Sequence, residues 1–181
     1  MGKVVIHTTM SLDGYIAGPN DDLNWMSDYE GPNKVADEVI RMVGAIVGGG
    51  RFFRLIEKHL EDNLPYGGVV KAPVFVLTHH PRETFTKFGI TFHFVADGFE
   101  SAVKQAKAAA GDKNVMLFGA SVAQMGLRTG LADEIQLHLA PILLTRGIQL
   151  FGQPGTGYIK LERMQMVESP KVTDLRFQIV K

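Results

Sequence analysis

Short runs of apolar residues alternate along this chain with stretches that carry helical periodicity, and this alternation restricts the fold more than any other feature. Continuous apolar runs bounded by glycine, proline or polar residues are typical of strands that are buried on both faces. Strands that alternate with helices predict a sheet covered by helices on its two faces. The runs that fit this description lie at residues 3–9, 45–47, 73–78, 90–95 and 115–118.

Four helices are predicted between and after these strands. The first two carry apolar residues at helical spacing, namely Val35, Val39, Ile40 and Val43 in one and Phe52, Leu55 and Ile56 in the other. The third is introduced by Asp97 and Glu100, which stand three residues apart in the spacing of a capping box. The predicted helices cover residues 33–43, 51–60, 97–111 and 119–130.

The last third of the chain adds strands of a different kind. Residues 134–140 alternate apolar and polar side chains, and two long strand-like runs, 158–167 and 172–180, flank the turn-forming residues 169–171. Two such runs predict an antiparallel hairpin, so the sheet is expected to be mixed. The predicted fold class is α/β, a three-layer α/β/α arrangement with a central mixed, mainly parallel sheet and a C-terminal antiparallel hairpin. A length of 181 residues fits one domain over residues 1–181.

The charge balance bears on which partners to expect. The 19 Lys and Arg residues equal the 19 Asp and Glu residues, which gives a formal net charge of zero. This balance argues against nucleic-acid binding and against a membrane-seeking basic surface. The apolar run at the N-terminus is too short for a signal sequence, no stretch approaches a membrane span, and the chain contains no cysteine. We therefore expect a cytoplasmic protein that holds any anion by local geometry.

Three predicted strands end in residues that suit an anionic ligand. Gly48-Gly49-Gly50 follows one strand and precedes a helix, where glycines let the backbone approach a phosphate and the first helical amides point outward. Gly119-Ala120-Ser121 repeats this arrangement and adds a hydroxyl. The strand of residues 73–78, which includes Leu77, is closed by Thr78-His79-His80-Pro81-Arg82. Ligands of open α/β sheets bind beyond the carboxyl ends of the strands, so three such ends can hold one extended dinucleotide, although the three-glycine dinucleotide fingerprint is absent.

Other polar residues have structural interpretations on local pattern alone. Asp13-Gly14 is a turn dipeptide as well as a candidate site, and Asp133-Glu134 is interpreted as a solvated turn before a strand. His7 and His138 lie on predicted strands and are interpreted as core or sheet-face residues. A metal is not expected at His79-His80, because adjacent residues at a strand end point apart and the sequence offers no third ligand.

The motifs of the chain also resemble those of a known protein family. Ser11-Leu12-Asp13-Gly14-Tyr15-Ile16-Ala17 resembles the opening motif of the reductase domain of bifunctional riboflavin-biosynthesis proteins, a branch of the dihydrofolate-reductase-like superfamily. Four later segments resemble the distal signature of that family, namely Gly119-Ala120-Ser121-Val122-Ala123 and residues 130–135, 141–144 and 147–151. These motifs occur in the expected order over almost the whole chain, so the resemblance is far more specific than any one of them.

The resemblance implies that NADPH lies across the strand ends. Asp13 is implied to lie near the substrate, where it orients or protonates the acceptor. The deaminase half of the bifunctional proteins is not expected, because its zinc site needs cysteine. The residues implied to contact the cofactor are Thr8, Thr9, Ile16, Ala17 and Trp25 around the nicotinamide, Gly48, Gly49, Gly50, Arg51, Gly119, Ala120, Ser121 and Val122 around the pyrophosphate, and Leu77, Thr78 and His79 at the adenosine end.

The function implied by the resemblance is an NADPH-dependent reductase that transfers a hydride to a small heterocycle, similar to a pterin or a pyrimidine. The alternative is a non-catalytic nucleotide- or ligand-binding module on the same fold. It is kept because the family turn usually reads Gly-Arg-x-Thr where this chain has Gly48-Gly49-Gly50-Arg51, and because Phe118 stands in place of a glycine. The family often forms homodimers, and the apolar tail hairpin offers surface for one.

Overall fold

The computed structural model describes residues 2–58, 64–152 and 157–181, which form eleven strands and four α-helices. The strands are β1 (Val4–Ser11), β2 (Tyr15–Ala17), β3 (Val43–Gly49), β4 (Val74–Leu77), β5 (Phe85–Lys87), β6 (Ile90–Val95), β7 (Asn114–Phe118), β8 (Glu134–Ala140), β9 (Ile148–Gln149), β10 (Leu161–Glu168) and β11 (Thr173–Ile179). The helices are α1 (Lys34–Arg41), α2 (Gly50–Lys58), α3 (Phe99–Ala110) and α4 (Ala120–Arg128). Short 3-10 turns lie at residues 19–21, 24–29 and 65–68.

Nine of the strands form one sheet in the order β10-β11-β8-β1-β7-β3-β4-β6-β5. The six strands from β8 to β6 run parallel, and β11, β10 and β5 pair antiparallel at the two sides. A separate pair is formed by β2 and β9. The prediction of a mixed, mainly parallel sheet with a C-terminal antiparallel hairpin is therefore confirmed.

The apolar residues of the central strands pack on both faces of the sheet. On β1, Val4 and Ile6 belong to the core cluster with α3 and α4, whereas Val5 belongs to the cluster with α1 and α2. Successive side chains of a strand point to opposite faces, so a continuous apolar run is what a doubly covered strand requires. The three-layer α/β/α architecture is confirmed by these two clusters.

The helix boundaries depart from the sequence prediction in identifiable ways. The side chain of Asn33 caps α1 by accepting a hydrogen bond from the amide of Ala36 at 3.0 Å, but Val43 begins β3 and is not helical. The capping box predicted for α3 is wrong: Gly98 is the N-cap at φ +104°, and the Asp97 carboxylate instead accepts the Ser101 hydroxyl at 2.7 Å. The predicted end of α2 at residue 60 lies outside the described residues. No described helix is long and apolar enough to cross a bilayer.

Glu134 occupies a different environment from the solvated turn that the sequence suggested. The residue is fully buried at the start of β8, so that interpretation is wrong for Glu134. Its carboxylate pairs with Lys3 and accepts a hydrogen bond from Arg176 Nε at 2.8 Å. A carboxylate can be buried when cations and hydrogen bonds compensate its lost hydration, and local sequence does not show partners that come from β1 and β11.

Candidate active site

The carboxyl ends of β1, β7, β3 and β4 lie side by side at one edge of the sheet, because these four strands are parallel neighbours. Within this edge, Gly48 is in register with Phe118, and Gly49 is in register with Leu77. The two glycine turns and the segment after β4 are therefore brought together, as the sequence predicted. Thr8 and Thr9, both half-buried near the end of β1, lie at the same edge.

The two glycine turns lie close together, separated by about the space that one side chain would take. A Cβ added to Gly49 would lie 3.4 Å from Ser121 Oγ and 3.5 Å from a methyl group of Val122. Gly119 precedes α4 at φ +92°, a conformation that favours glycine. The hydrogen bond from the Ala123 amide to the Gly119 carbonyl begins the helical pattern, so the amides of the residues before Ala123 point out of the helix end. We call Gly49, Gly50, Gly119, Ala120 and Ser121 the glycine cradle.

Two arginines flank the glycine cradle. Arg51 donates from Nε to the Asp21 carboxylate at 2.5 Å and thereby links the turn after β3 to the loop after β2. Arg54, one helical turn beyond Gly50, places its guanidinium 3.7 Å from the position that a Gly50 Cβ would take, and the carbonyl oxygen of Leu77 lies 3.8 Å from the same position. Sequence reasoning missed Arg54. The signal for it was its spacing of four residues from Gly50, which places both on one helical face.

The segment after β4 closes a local turn. The Thr78 amide donates to the Val95 carbonyl at 3.0 Å, and its hydroxyl accepts the His80 amide at 3.0 Å. His79 follows with an exposed side chain. Within the described residues, no group of three or more His, Asp or Glu side chains is arranged to hold a metal ion.

Asp13 anchors the loop that follows β8. Its carboxylate accepts the Ser11 hydroxyl at 2.6 Å, the Leu144 amide at 3.1 Å and the Thr145 amide at 2.7 Å. Thr145 has φ +62°, a strained conformation for a β-branched residue, and the carboxylate holds it there. The Ser11 hydrogen bond, with those from the backbone amides, lowers the pKa of Asp13 below its usual value. This environment suits an ionised group that orients its surroundings, and a role of Asp13 in protonation stays a prediction.

The opening motif and the distal signature pack on each other. The strand of residues 15–17, with Ile16 and Ala17, pairs with β9. A Cβ on Gly147 would lie 2.1 Å from the carbonyl oxygen of Ala17, so only glycine fits there. The amide of Leu150 donates to the Gly14 carbonyl at 2.9 Å. The two motifs thus form one wall beside the end of β1.

Trp25 is buried at the carboxyl end of β8. The residue is 9% exposed and packs with Ala140 and Val172, and the Tyr29 ring lies 6.2 Å from its own. Its indole N–H finds no hydrogen-bond partner in the described part of the chain. A buried donor without a partner is unfavourable, so the indole N–H stands out as an unsatisfied group at this end of the sheet.

A chain of polar side chains lies on the face of the sheet that carries α1 and α2. Tyr66 Oη is 2.9 Å from His7 Nδ1, and His7 Nε2 is 2.8 Å from His138 Nε2. The other ring nitrogen of His138 contacts the buried Asp174 carboxylate. Burial, with a smaller contribution from His138, lowers the pKa of His7 to about 3. We call Tyr66, His7, His138 and Asp174 the histidine cluster.

The sequence interpretation of His7 and His138 as core or sheet-face residues is confirmed for their position, but their contact was missed. They are far apart in sequence and meet because β1 and β8 are neighbours, with Thr9 opposite His138 in the register. Tyr66 was also missed, since it lies on a turn rather than on a periodic element.

Phe118 does not fill the glycine cradle. Its ring packs edge-on against Phe52 at 5.3 Å and beside Tyr66 at 5.1 Å, on the face of the sheet that carries α2. Phe52 also covers Gly48, where an added Cβ would lie 2.2 Å from the ring. The cradle is built on the opposite face, beside Val122 of the α3–α4 cluster. The departure from the family pattern at Phe118 therefore leaves the cradle open.

Comparisons with known proteins agree with this arrangement. The model of a family described as the RibD C-terminal domain matches residues 2–173. The uncharacterized protein YyaP of Bacillus subtilis (strain 168) is 23% identical over 155 residues, which cover 82% of this chain and 80% of YyaP. A solved structure titled "Putative riboflavin biosynthesis protein", from Shewanella sp. PV-4, has a TM-score of 0.77 at 22% identity and covers 99% of both chains.

A second solved structure is larger than this chain. It is the diaminohydroxyphosphoribosylaminopyrimidine deaminase/5-amino-6-(5-phosphoribosylamino)uracil reductase of Thermotoga maritima, with a TM-score of 0.68 at 15% identity. The match covers 99% of this chain but 57% of that protein. At these identities the structural likeness establishes the fold.

Proposed function

Because the chain belongs to the family of the RibD C-terminal domain, we propose that it is an NADPH-dependent reductase that transfers a hydride to a small pterin- or pyrimidine-like heterocycle. The observation that carries this proposal is the contact between the turns at Gly49 and Ser121, beside the ends of β1 and β4. Relatives support the substrate class, since the Thermotoga maritima protein is named as a reductase of a substituted uracil.

The residues at this edge fit a dinucleotide with a 2′-phosphate. The glycine cradle offers a groove that a side chain would fill, lined by outward-pointing amides that suit a pyrophosphate. Arg54, Thr78 and His79 are grouped at the end of β4, where a cation and a hydroxyl suit the 2′-phosphate. When bound, NADPH supplies the hydride, and the chain supplies orientation and a dry environment.

The opposite end of the groove suits the reacting heterocycle. Thr8 and Thr9 are half-buried near the end of β1, and the wall formed by Ile16 and Ala17 lies beside that strand end. Trp25 offers its unpartnered N–H, and Asp13 holds the 144–145 backbone in place. In this proposal Asp13 orients the substrate loop, and an acceptor atom of the heterocycle pairs with the indole.

The alternative, a non-catalytic nucleotide-binding module, is favoured by one observation. Arg51, the arginine of the family turn, is paired with Asp21 and thus not free for a phosphate. In that case NADPH would bind without reacting, so turnover separates the two functions.

The proposal is tested by titrating the protein with NADPH and, separately, with NADH while following Trp25, the only tryptophan. We expect saturable quenching, with tighter binding of NADPH. NADPH oxidation is then measured with 5-amino-6-(5-phosphoribosylamino)uracil and with dihydropterins. Binding without oxidation of NADPH by any of these acceptors would favour the binding module, and the absence of binding at millimolar cofactor would exclude both.

We also propose that the protein forms a homodimer through β10. This strand pairs with β11 on one side, and seven of its eight residues are exposed, including Met164 and Met166. A long exposed edge strand with apolar side chains is an association surface, and a second copy can pair with it antiparallel in a closed two-fold arrangement. Light scattering should give a dimer mass that Met166→Lys reduces and Met42→Lys, an exposed site on another face, does not.

A further inference from the structure

The histidine cluster forms an unbroken hydrogen-bonded path from Asp174 to Tyr66, whose ring packs beside Phe118, the residue before the glycine cradle. We propose that Tyr66, His7 and His138 act as a proton relay that supplies the proton for the reduction proposed above, so this inference rests on that function. Hydride transfer to a heterocycle leaves a negative charge on the acceptor, which a proton must neutralise. The hydrogen bonds to Asp13 lower the pKa of its carboxyl and favour its ionised form, so a second source for that proton is worth identifying.

The hydrogen positions of the cluster follow from Asp174. Its carboxylate accepts hydrogen bonds from Asn33 Nδ2 at 3.0 and 3.1 Å and from the Ser169 hydroxyl, so it acts as an acceptor on every side. His138 must therefore carry its hydrogen on Nδ1, facing Asp174. In neutral His138 the other nitrogen, Nε2, is then an acceptor.

The same reasoning continues along the path. His7 must donate from Nε2 to His138, because one of the two facing nitrogens has to carry a hydrogen. The remaining nitrogen, His7 Nδ1, accepts the hydroxyl hydrogen of Tyr66. Every donor and acceptor is satisfied, and all the bonds point from Tyr66 toward Asp174. In this state the Tyr66 proton is turned away from any substrate.

One added proton reverses the direction of the path. When His138 is protonated on both nitrogens, it donates from Nε2 to His7, and His7 then donates from Nδ1 to Tyr66. The Tyr66 hydroxyl hydrogen is now free for the acceptor atom of the substrate. As Tyr66 gives up this proton it takes the one from His7 Nδ1, and His7 takes the one from His138 Nε2. The net transfer is one proton from His138 to the product, which together with the hydride completes a two-electron reduction.

The contacts around the path distinguish its two histidines. His7 resists protonation because it is buried and because His138 is adjacent, which lowers its pKa to about 3. His138 instead has the Asp174 carboxylate beside it. The nearby cation on the same face, Arg176, is paired with Glu134 at 2.8 Å, and Tyr66 has its pKa raised by burial, so it stays protonated.

Tyr66 is held at the carboxyl edge at an energetic cost. It has φ +54° in the turn of residues 65–68, a rare conformation for a bulky residue. Its ring stacks on His7 with 5.6 Å between centroids and lies beside Phe118, the residue that precedes Gly119 of the glycine cradle. Strain of this kind persists where the surroundings fix one arrangement, and here it brings the hydroxyl to His7 beside the ends of β1 and β7.

The relay is tested first without a substrate, by nuclear magnetic resonance of the histidine ring nitrogens. We expect His7 to carry its hydrogen on Nε2 near neutral pH and to switch to Nδ1 as His138 takes up a proton. Asp174→Asn should abolish this joint change, and His93 on β6 serves as the internal control. A His7 tautomer that stays fixed while His138 titrates would overturn the relay.

The second arm measures turnover of 5-amino-6-(5-phosphoribosylamino)uracil with NADPH. Tyr66→Phe should lower kcat by about 10²- to 10⁴-fold and abolish the solvent deuterium isotope effect, with NADPH affinity unchanged. The exposed Tyr158→Phe is the matched control. An unaffected kcat in Tyr66→Phe refutes the relay and leaves the reductase intact. If the wild-type protein oxidises no NADPH with any acceptor, the proposed function fails, and the tautomer switch alone decides whether the proton path exists.

Discussion

The two faces of the sheet carry different chemical groups at the same carboxyl edge. On the face of α3 and α4, the glycine cradle consists of backbone amides and small residues around Gly49 and Ser121. On the face of α1 and α2, the histidine cluster consists of buried side chains that bond to one another. The cradle itself is made of backbone and small residues, whereas the cluster on the second face is made almost entirely of groups that carry protons.

This difference separates two tasks that a reductase must perform. Backbone amides bind a phosphate by position and do not change charge with pH. Imidazole, phenol and carboxylate groups move protons, and they need burial and mutual contact to keep them aligned. Changes on the cradle face should therefore alter cofactor affinity with little effect on stability. Changes on the cluster face should alter stability and proton transfer.

The largest effect on stability is expected from Asp174→Ala. Asp174 is 2% exposed and serves as the acceptor for His138, Asn33 and Ser169, so its removal leaves buried donors unpaired. Breaking such a buried network should lower the free energy of unfolding by about 3–5 kcal/mol, measured by urea denaturation. The control is Asp21→Ala, which removes an exposed ion pair near the cradle and should cost less than about 1 kcal/mol. Equal losses in the two variants would contradict the distinction between the faces.

Gly48 and Gly49 provide the next test of the two faces, because a side chain added at each would point to the opposite face of the sheet. Gly48→Ala should lower the free energy of unfolding by about 1–3 kcal/mol, since its Cβ would lie 2.2 Å from the Phe52 ring. Gly49→Ala should leave stability nearly unchanged, since its Cβ meets ordinary contact distances. The second variant should instead weaken NADPH binding at least about tenfold, a loss of about 1.4 kcal/mol, by filling the groove.

Two glycines with strained backbones can show whether weakened NADPH binding comes from backbone strain or from lost contact with the cofactor. Gly119 and Gly111 both have positive φ, and an added Cβ at either would meet nothing within 4 Å. Gly119→Ala and Gly111→Ala should therefore cost similar stability. Only the former lies in the cradle, so loss of NADPH affinity in both variants would indicate strain rather than contact with the cofactor.

The two faces also differ in how far sequence alone could predict them. The cradle was predictable because a glycine turn between a strand and a helix can be recognised from adjacent residues alone. Parallel strands then bring such turns together at one edge of the sheet. Gly49, Gly119 and Ser121 were identified in this way. The histidine cluster was not predictable, because His7 and His138 meet only through the pairing of β1 with β8, and Asp174 joins through the pairing of β8 with β11.

The fold followed from periodicity with few errors, and those errors have local causes. Continuous apolar runs gave the central strands, but Val43 could belong to a helical stripe or to a strand until the position of α1 was known. The capping box failed because Gly98 takes a conformation that moves Asp97 away from the helix start. Glu134 was misjudged because its compensating cations lie on other strands.

A pH-dependent effect, about 1.4 kcal/mol for each pH unit below 6.5, is expected from His7. Its folded pKa of about 3 lies below the unfolded value of 6.5, so the unfolded chain binds the proton more tightly. Stability from this group is complete above pH 6.5 and falls as pH decreases toward 3. His7→Gln should flatten this part of the curve, measured by urea denaturation at several pH values. An unchanged slope would show that His7 is not the buried base that the cluster requires.

The smallest effect concerns which nicotinamide cofactor is preferred. Arg54 lies beside the end of β4, where the 2′-phosphate is proposed to bind, whereas Arg51 is engaged with Asp21. Arg54→Gln should therefore reduce NADPH affinity by up to about fivefold and leave NADH affinity unchanged, because a single exposed ionic contact contributes about 1 kcal/mol or less. Fluorescence titration of both cofactors measures the ratio directly.

Arg51→Gln is the matched control, since it removes the same charge one turn earlier on the same helix. If Arg51→Gln and not Arg54→Gln abolishes the preference for NADPH, then Arg51 must leave Asp21 when the cofactor binds. The loop after β2 would then move with the cofactor, and the cradle face would be the adaptable one. If Arg54→Gln alone changes the ratio, the Arg51–Asp21 pair serves only to join the loop to α2, and the cradle binds its ligand without rearrangement.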